Sequence, residues 1–201
     1  MLVGLGLGPG DPELLTLKAV RLLKEADSVF VPGSIAKELV APYRDAVVLD
    51  FPMTDNEEEI QRCMEKNADA IATVAGTGLA VLGILGDPNF FSTFSRLAGV
   101  MGERYPDIVC TSEPGVSAIT AFAAVSGVSL SGGFYVTDGG DPGCRIVLKV
   151  KKPRETVNVL RSEGYRTFIL VERMFFSDMR VYRGEEIPDT SDYMSILYAG
   201  M

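Results

Sequence analysis

The sequence predicts an α/β protein in two parts: a larger amino-terminal domain over residues 1–130 and a smaller α+β domain over residues 131–201. Three observations carry this. Up to residue 130, short apolar runs alternate with stretches of helical periodicity, the rhythm of parallel strands joined by crossover helices. The glycine-rich stretch SLSGGFYVTDGGDPGC (129–144) then breaks that rhythm and reads as a linker. Beyond it, strand patterns dominate and only one helical pattern remains.

The first strand is expected over 2–8, where apolar residues and glycines alternate. Leu15, Ala19, Leu22, Leu23 and Ala26 then recur at helical spacing and give one apolar face. Two starts fit this helix: Asp11 as cap with Pro12 at the first position, or Thr16 as cap after a short turn. Strands follow over 28–31, 46–51, 79–85 and 108–111, with a long helical stretch over 55–72 whose acidic start complements the helix dipole. In the second part, strands are expected over 146–150, 167–171, 180–182 and 195–199, with one helix over 153–162.

Composition removes several function classes. With 201 residues, 47% of them hydrophobic, the chain can bury a core. No apolar run reaches the length of a membrane span and the first lacks a basic leader, so the protein is expected to be soluble and cytoplasmic, with no membrane partner. The absence of histidine excludes the usual triads, HExxH zinc sites and imidazole acid–base catalysis. Cys63, Cys110 and Cys144 match neither a zinc spacing nor a CxxC pair and read as buried, reduced thiols; no protein metal site is expected. A net charge of −8 argues against a nucleic-acid partner, yet residues 145–183 hold ten basic and four acidic residues, a local balance of +6. Such a segment could receive an acidic small molecule.

The opening MLVGLGLGPGDPELLTLKA invites a dinucleotide reading, but the register fails. From Gly4 and Gly6 the third glycine of GxGxxG falls on Pro9; from Gly6 and Gly8 it falls on Asp11. Asp27 sits near the place of a ribose-binding acid, but reads more simply as the polar start of the second strand. No GK[ST] follows, which excludes a Walker loop. What remains is a rigid turn, Pro9 to Pro12, at the carboxyl end of a strand, the edge where open parallel sheets bind ligands. Two further loops repeat the arrangement. LAVLGILGDPNFFSTFSRL (79–97) runs from a strand through Gly86, Asp87 and Pro88 to Ser92 and Thr93 at a helix start; SEPGVSAITAFAAVSGVSL (112–130) enters an apolar helix through Pro114, Gly115, Val116, Ser117 and Ala118. Together they suit a flat, mostly uncharged group met by backbone and small side chains.

These three ordered motifs resemble the tetrapyrrole methylase family of S-adenosylmethionine-dependent methyltransferases, over nearly the whole chain. Within it, the segments GDPNFFSTFSRL, IVLKVKK, LVERM and DYMSILYAG are most similar to the branch acting at C20 of precorrin-2 or cobalt-factor II in cobalamin biosynthesis. The resemblance implies the two-domain class III methyltransferase fold, with the cofactor, S-adenosylmethionine, in a cleft between domains, S-adenosylhomocysteine as product, and a homodimer. For the cofactor it implies Pro9, Gly86, Asp87, Phe90, Ser92, Thr93, Ser117 and Ala118, and from the second domain Leu148, Met174 and Ser195. Backbone groups are expected to make many of these contacts, so a change at Gly86 should hurt more than loss of the Asp87 side chain. A tetrapyrrole bearing acetate and propionate groups needs cations, for which Arg96, Lys149, Lys151 and Arg173 are the candidates. Phe90, Phe91 and Phe94 could stack on the macrocycle, or belong to the core. No catalytic base is identified. The chain departs from the family pattern by contraction after VFVPGS and around 139–144, both of which bear on substrate choice. Methylation at another corrinoid carbon, action on the diphthamide precursor, and a non-catalytic tetrapyrrole carrier remain the alternatives.

Overall fold

The computed structural model of the chain describes every residue except Asp138 and Asp141, both of which fall in the expected linker. The chain divides into two compact units, Met1–Gly133 and Phe134–Met201.

In the first unit, β1 (Leu2–Gly6), β2 (Ser28–Val31), β3 (Ala46–Val48), β4 (Ala80–Ile84) and β5 (Cys110–Glu113) form one sheet in the order β3-β2-β4-β1-β5. All four pairings are parallel, as the alternating pattern predicts. Helices α1 (Leu17–Glu25), α2 (Ser34–Val40), α3 (Glu57–Ala75), α4 (Phe94–Arg104) and α5 (Ala118–Ser126) make the crossovers and the closing helix. Every residue of β1 and β4 is buried, the mark of central strands covered on both faces. Alternate residues serve two cores. Leu2, Leu82 and Ile84 pack with Met64 and Ile71 of α3 and Leu97 and Met101 of α4. Val3, Leu5 and Val81 pack with Ala19 and Leu23 of α1 and Leu39 of α2.

Both candidate starts of the first helix are used. Asp11 caps a single 3-10 turn, Pro12–Leu14, and Thr16 caps α1 by accepting the N–H of Ala19 at 3.0 Å. The long helix begins two residues later than its acidic start suggests, because Asn56 accepts the N–H groups of both Glu58 and Glu59. Several expectations need correction: the first strand, expected over 2–8, ends at Gly6, and the one expected over 146–150 runs over Cys144–Leu148. The strand expected over 46–51 keeps ladder geometry only to Val48, and the one expected over 108–111 shifts to Cys110–Glu113. Helix α2 forms where none was expected, with Gly33 at its cap and no side-chain capping bond to announce it. The cysteines are free, but Cys63 and Cys110 are only half-buried, and Cys144 is exposed at the start of a strand.

In the second unit, β6 (Cys144–Leu148), β7 (Thr167–Glu172), β8 (Arg180–Arg183) and β9 (Ser195–Gly200) form an antiparallel sheet in the order β6-β9-β7-β8. Helix α6 (Pro153–Ser162) adds Val157 and Leu160 to a core of Phe168, Leu170, Leu197 and Ala199.

Candidate functional site

The sheet order sets β4, β1 and β5 side by side, so the three glycine-bearing loops emerge as neighbours from one edge. The spacing of the glycines in β1 now has a reason other than a phosphate turn. Residues two apart point to one face of a strand. A Cβ on Gly4 would lie 2.5 Å from the Phe94 ring, and one on Gly6 would lie 2.3 Å from the backbone nitrogen of Gly115. The leucines between them, Leu5 and Leu7, point to the opposite core. Thus Gly4 and Gly6 shave one face of β1 flat so that the Phe94 ring and the third loop can pack against it.

Beyond the strands the loops hold one another. Gly8 and Gly86, both at a φ of +73°, exchange backbone hydrogen bonds, Gly86 donating at 2.7 Å and Gly8 at 3.2 Å. A Cβ on Gly115 would lie 2.3 Å from the Gly86 carbonyl oxygen. Asp87, buried at 8% exposure, accepts the Gly115 N–H at 3.1 Å with one carboxylate oxygen and the Asn89 N–H at 2.8 Å with the other. The Asn89 side-chain carbonyl in turn accepts the Ser112 hydroxyl at 3.0 Å, joining the second loop to β5. Asn89 is a member of this constellation that sequence reasoning missed. Its only signal was its place two residues after Asp87, where an Asx turn forms.

The other expected cofactor residues fall as follows. Pro9 is exposed beside the glycine bridge. Phe90 and Phe91 stand out from the second loop at 46% and 65% exposure, whereas Phe94 is buried in the core against β1. Ser92 donates to the Pro88 carbonyl and accepts the Phe94 N–H at 3.3 Å, while Thr93 is exposed at the α4 cap position and makes no capping bond. Ser117 caps α5 by accepting the Ile119 N–H at 3.3 Å, with Ala118 exposed beside it. The structure therefore brings Gly86, Asp87 and the third loop together around backbone, and leaves Phe90 and Thr93 open.

In the second unit, Leu148 and Met174 are exposed apolar side chains just within and just beyond their strands. Ser195 is 1% exposed and its hydroxyl donates to the Val150 carbonyl at 2.7 Å, so it fixes the start of β9 rather than offering a free hydroxyl. The four expected cations divide into two kinds. Arg96 pairs with Glu57 at 2.6 Å, in an open depression that none of the three loops lines. Arg173 pairs with Asp178 at 2.8 Å and reaches Asp192 at 3.7 Å. Lys149 and Lys151 have no carboxylate within ion-pair distance among the described residues; both lie against the Tyr193 ring. Among the described residues there is no cluster of three His, Cys, Asp or Glu fit to hold a metal, and no helix long and apolar enough to cross a membrane.

Comparison with known proteins shows the family and the fold. The sequence pattern of the Tetrapyrrole (Corrin/Porphyrin) Methylases matches residues 1–181. A protein of Methanocaldococcus jannaschii described as a probable cobalt-precorrin-2 C(20)-methyltransferase is 30% identical over 217 aligned residues, covering 96% of this chain and 93% of its own. A precorrin-2 C(20)-methyltransferase of a Sinorhizobium species is 32% identical over 64% of this chain and 59% of its own. The crystal structure of the methyltransferase CobJ shares the fold, with a TM-score of 0.51 at 21% identity, over 99% of this chain and 93% of that one. The family pattern runs over nine-tenths of the chain and takes in all three glycine-bearing loops, and by it this protein belongs to the tetrapyrrole (corrin/porphyrin) methylases.

Proposed function

We propose that the chain methylates C20 of precorrin-2 or of its cobalt form, with S-adenosylmethionine as donor, in cobalamin biosynthesis. The observation that carries the reading is the relative described by that activity, which aligns over 96% of the chain rather than over the loops alone. The loop cluster fits the donor: its inner surface is backbone and small side chains, and its one buried carboxylate is consumed by the protein's own N–H groups. Pro9, Gly86, Asp87, Phe90, Ser92, Thr93, Ser117 and Ala118 would hold it from the first unit, Asp87 by fixing the third loop. Leu148, Met174 and Ser195 are the proposed contributors from the second unit, Ser195 through the backbone it anchors.

When bound, S-adenosylmethionine supplies a methyl group already activated on a sulfonium. The residues named above would hold the donor so that this methyl group passes to an electron-rich ring carbon, leaving the sulfur–methyl pair on sulfur, and the proton displaced from the ring carbon would pass to solvent water. What remains for the protein is placement, and a chain with no histidine can provide that with fixed loops. The reading also makes the protein a cytoplasmic homodimer. Supporting the dimer, α5 buries none of its residues and leaves Phe122 and Val125 at 67% and 90% exposure.

The test is anaerobic incubation of the purified protein with methyl-labelled S-adenosylmethionine and either precorrin-2 or its cobalt form, read by mass spectrometry. One labelled methyl at C20 is the expected result. No transfer to either, with donor binding demonstrated, would overturn the C20 assignment and leave the family membership standing.

A further inference from the structure

We propose that Lys149 and Lys151, held on the face of Tyr193, form a subsite for one carboxylate arm of the substrate, and that Arg173 and Arg96 are not part of it. The inference rests on the tetrapyrrole reading above and narrows it to named residues.

The pair lies where β6 ends and β9 begins. Lys149 directly follows β6 and has a φ of +58°, a conformation that residues with a Cβ rarely adopt. Its backbone N–H donates to the Ser195 carbonyl at 2.8 Å, so the turn is pinned to β9. Tyr193 stands two residues before β9, and its ring centroid lies 5.3 Å from the Lys149 ammonium and 6.0 Å from that of Lys151. Both distances are within cation–π range. Hydrogen bonding to Tyr193 lifts the Lys149 pKa above the usual lysine value, so the group is charged at neutral pH.

Arg173 provides the contrast. It occupies the matching place beyond β7, with a φ of +49° and its N–H donated to the Met194 carbonyl at 2.8 Å. There the charge is answered, by Asp178 and Asp192. At Lys149 and Lys151 two like charges share one ring with no ion-pair acid among the described residues. A carboxylate between the two ammonium groups would relieve their repulsion and accept charge-assisted hydrogen bonds from both.

The experiment is a fluorescence titration with uroporphyrin, a stable porphyrin polycarboxylate, which needs no turnover. Wild type is compared with K149M, K151M, K149G and the control K37M, on α2 of the first unit. Each lysine variant is expected to raise the uroporphyrin Kd by about tenfold or more. K37M should match wild type. K149G keeps the unusual turn and removes only the ammonium; it should bind porphyrin as poorly as K149M while unfolding at the same or a higher urea concentration. Calorimetric affinity for S-adenosylmethionine should not move. Porphyrin affinity within twofold of wild type in both K149G and K151M overturns the subsite, and so does an equal loss in K37M. If methylation at C20 fails while porphyrin binding depends on the two lysines, the activity assignment falls and the subsite stands. If methylation proceeds with unchanged KM in the lysine variants, the reverse holds.

Discussion

One carboxylate oxygen of Asp87 accepts the backbone N–H of Gly115 at 3.1 Å, so the loop after β4 and the loop after β5 form one hydrogen-bonded structure. The residues are 28 apart in sequence and become neighbours only because β1 alone lies between their strands.

Removing that carboxylate should loosen the pair. D87A leaves the Gly115 and Asn89 N–H groups without their acceptor, at a cost of about 1–3 kcal/mol for a partly buried donor. Urea denaturation should show a lowered midpoint at unchanged slope.

The glycines should rank by what a Cβ would strike. G115A and G6A each force a contact of 2.3 Å with backbone of the adjoining loop, and should be the worst tolerated. G86A meets nothing closer than 3.9 Å, so its cost is the left-handed φ alone, about 1–2 kcal/mol. On donor affinity, measured by calorimetry, G86A should lose more than D87A; the reverse order would count against contact through the Gly86 backbone.

Helix α3 should depend on its cap. N56A removes the acceptor for two N–H groups and is expected to cost about 1 kcal/mol, whereas N56D should be close to neutral. Thermal unfolding followed by circular dichroism reads both.

Acid should release one tie between α3 and the residues closing α4. Asp69 accepts the Tyr105 hydroxyl at 2.6 Å and Arg104 at 2.8 Å, and these partners, the tyrosine first, hold its carboxyl below the usual aspartate value. A group with a lowered folded pKa contributes fully above its unfolded pKa and loses that contribution as pH falls through the folded one. Wild type should therefore lose stability on acidification below about pH 4 more steeply than D69N, measured as urea midpoints across that range.

Much of the first unit was legible in the sequence because its signals are local. Short apolar runs mark β1 and β4, and Thr16 and Pro12 each mark a real start. Helix α2 was not legible, since its seven residues begin at a glycine without a capping side chain. The loops could be named from their composition, but the bonding between them could not, because Ser112 reaches Asn89 and Gly115 reaches Asp87 across the sheet. The cations show the same limit. Arg96 and Lys149 look alike in the sequence, and only the fold reveals that Glu57, 39 residues away, answers one of them.

The hollow left on β1 by Gly4 reaches further than packing. Phe94 fills it, and Gly86 is tied to Gly8, so the seven residues between are tethered at both ends to the same strand. Phe90 and Phe91 ride at the crest of that short arch, exposed to solvent. Their side chains touch neither anchorage, so the crest of the arch can vary while the scaffold beneath it stays unchanged.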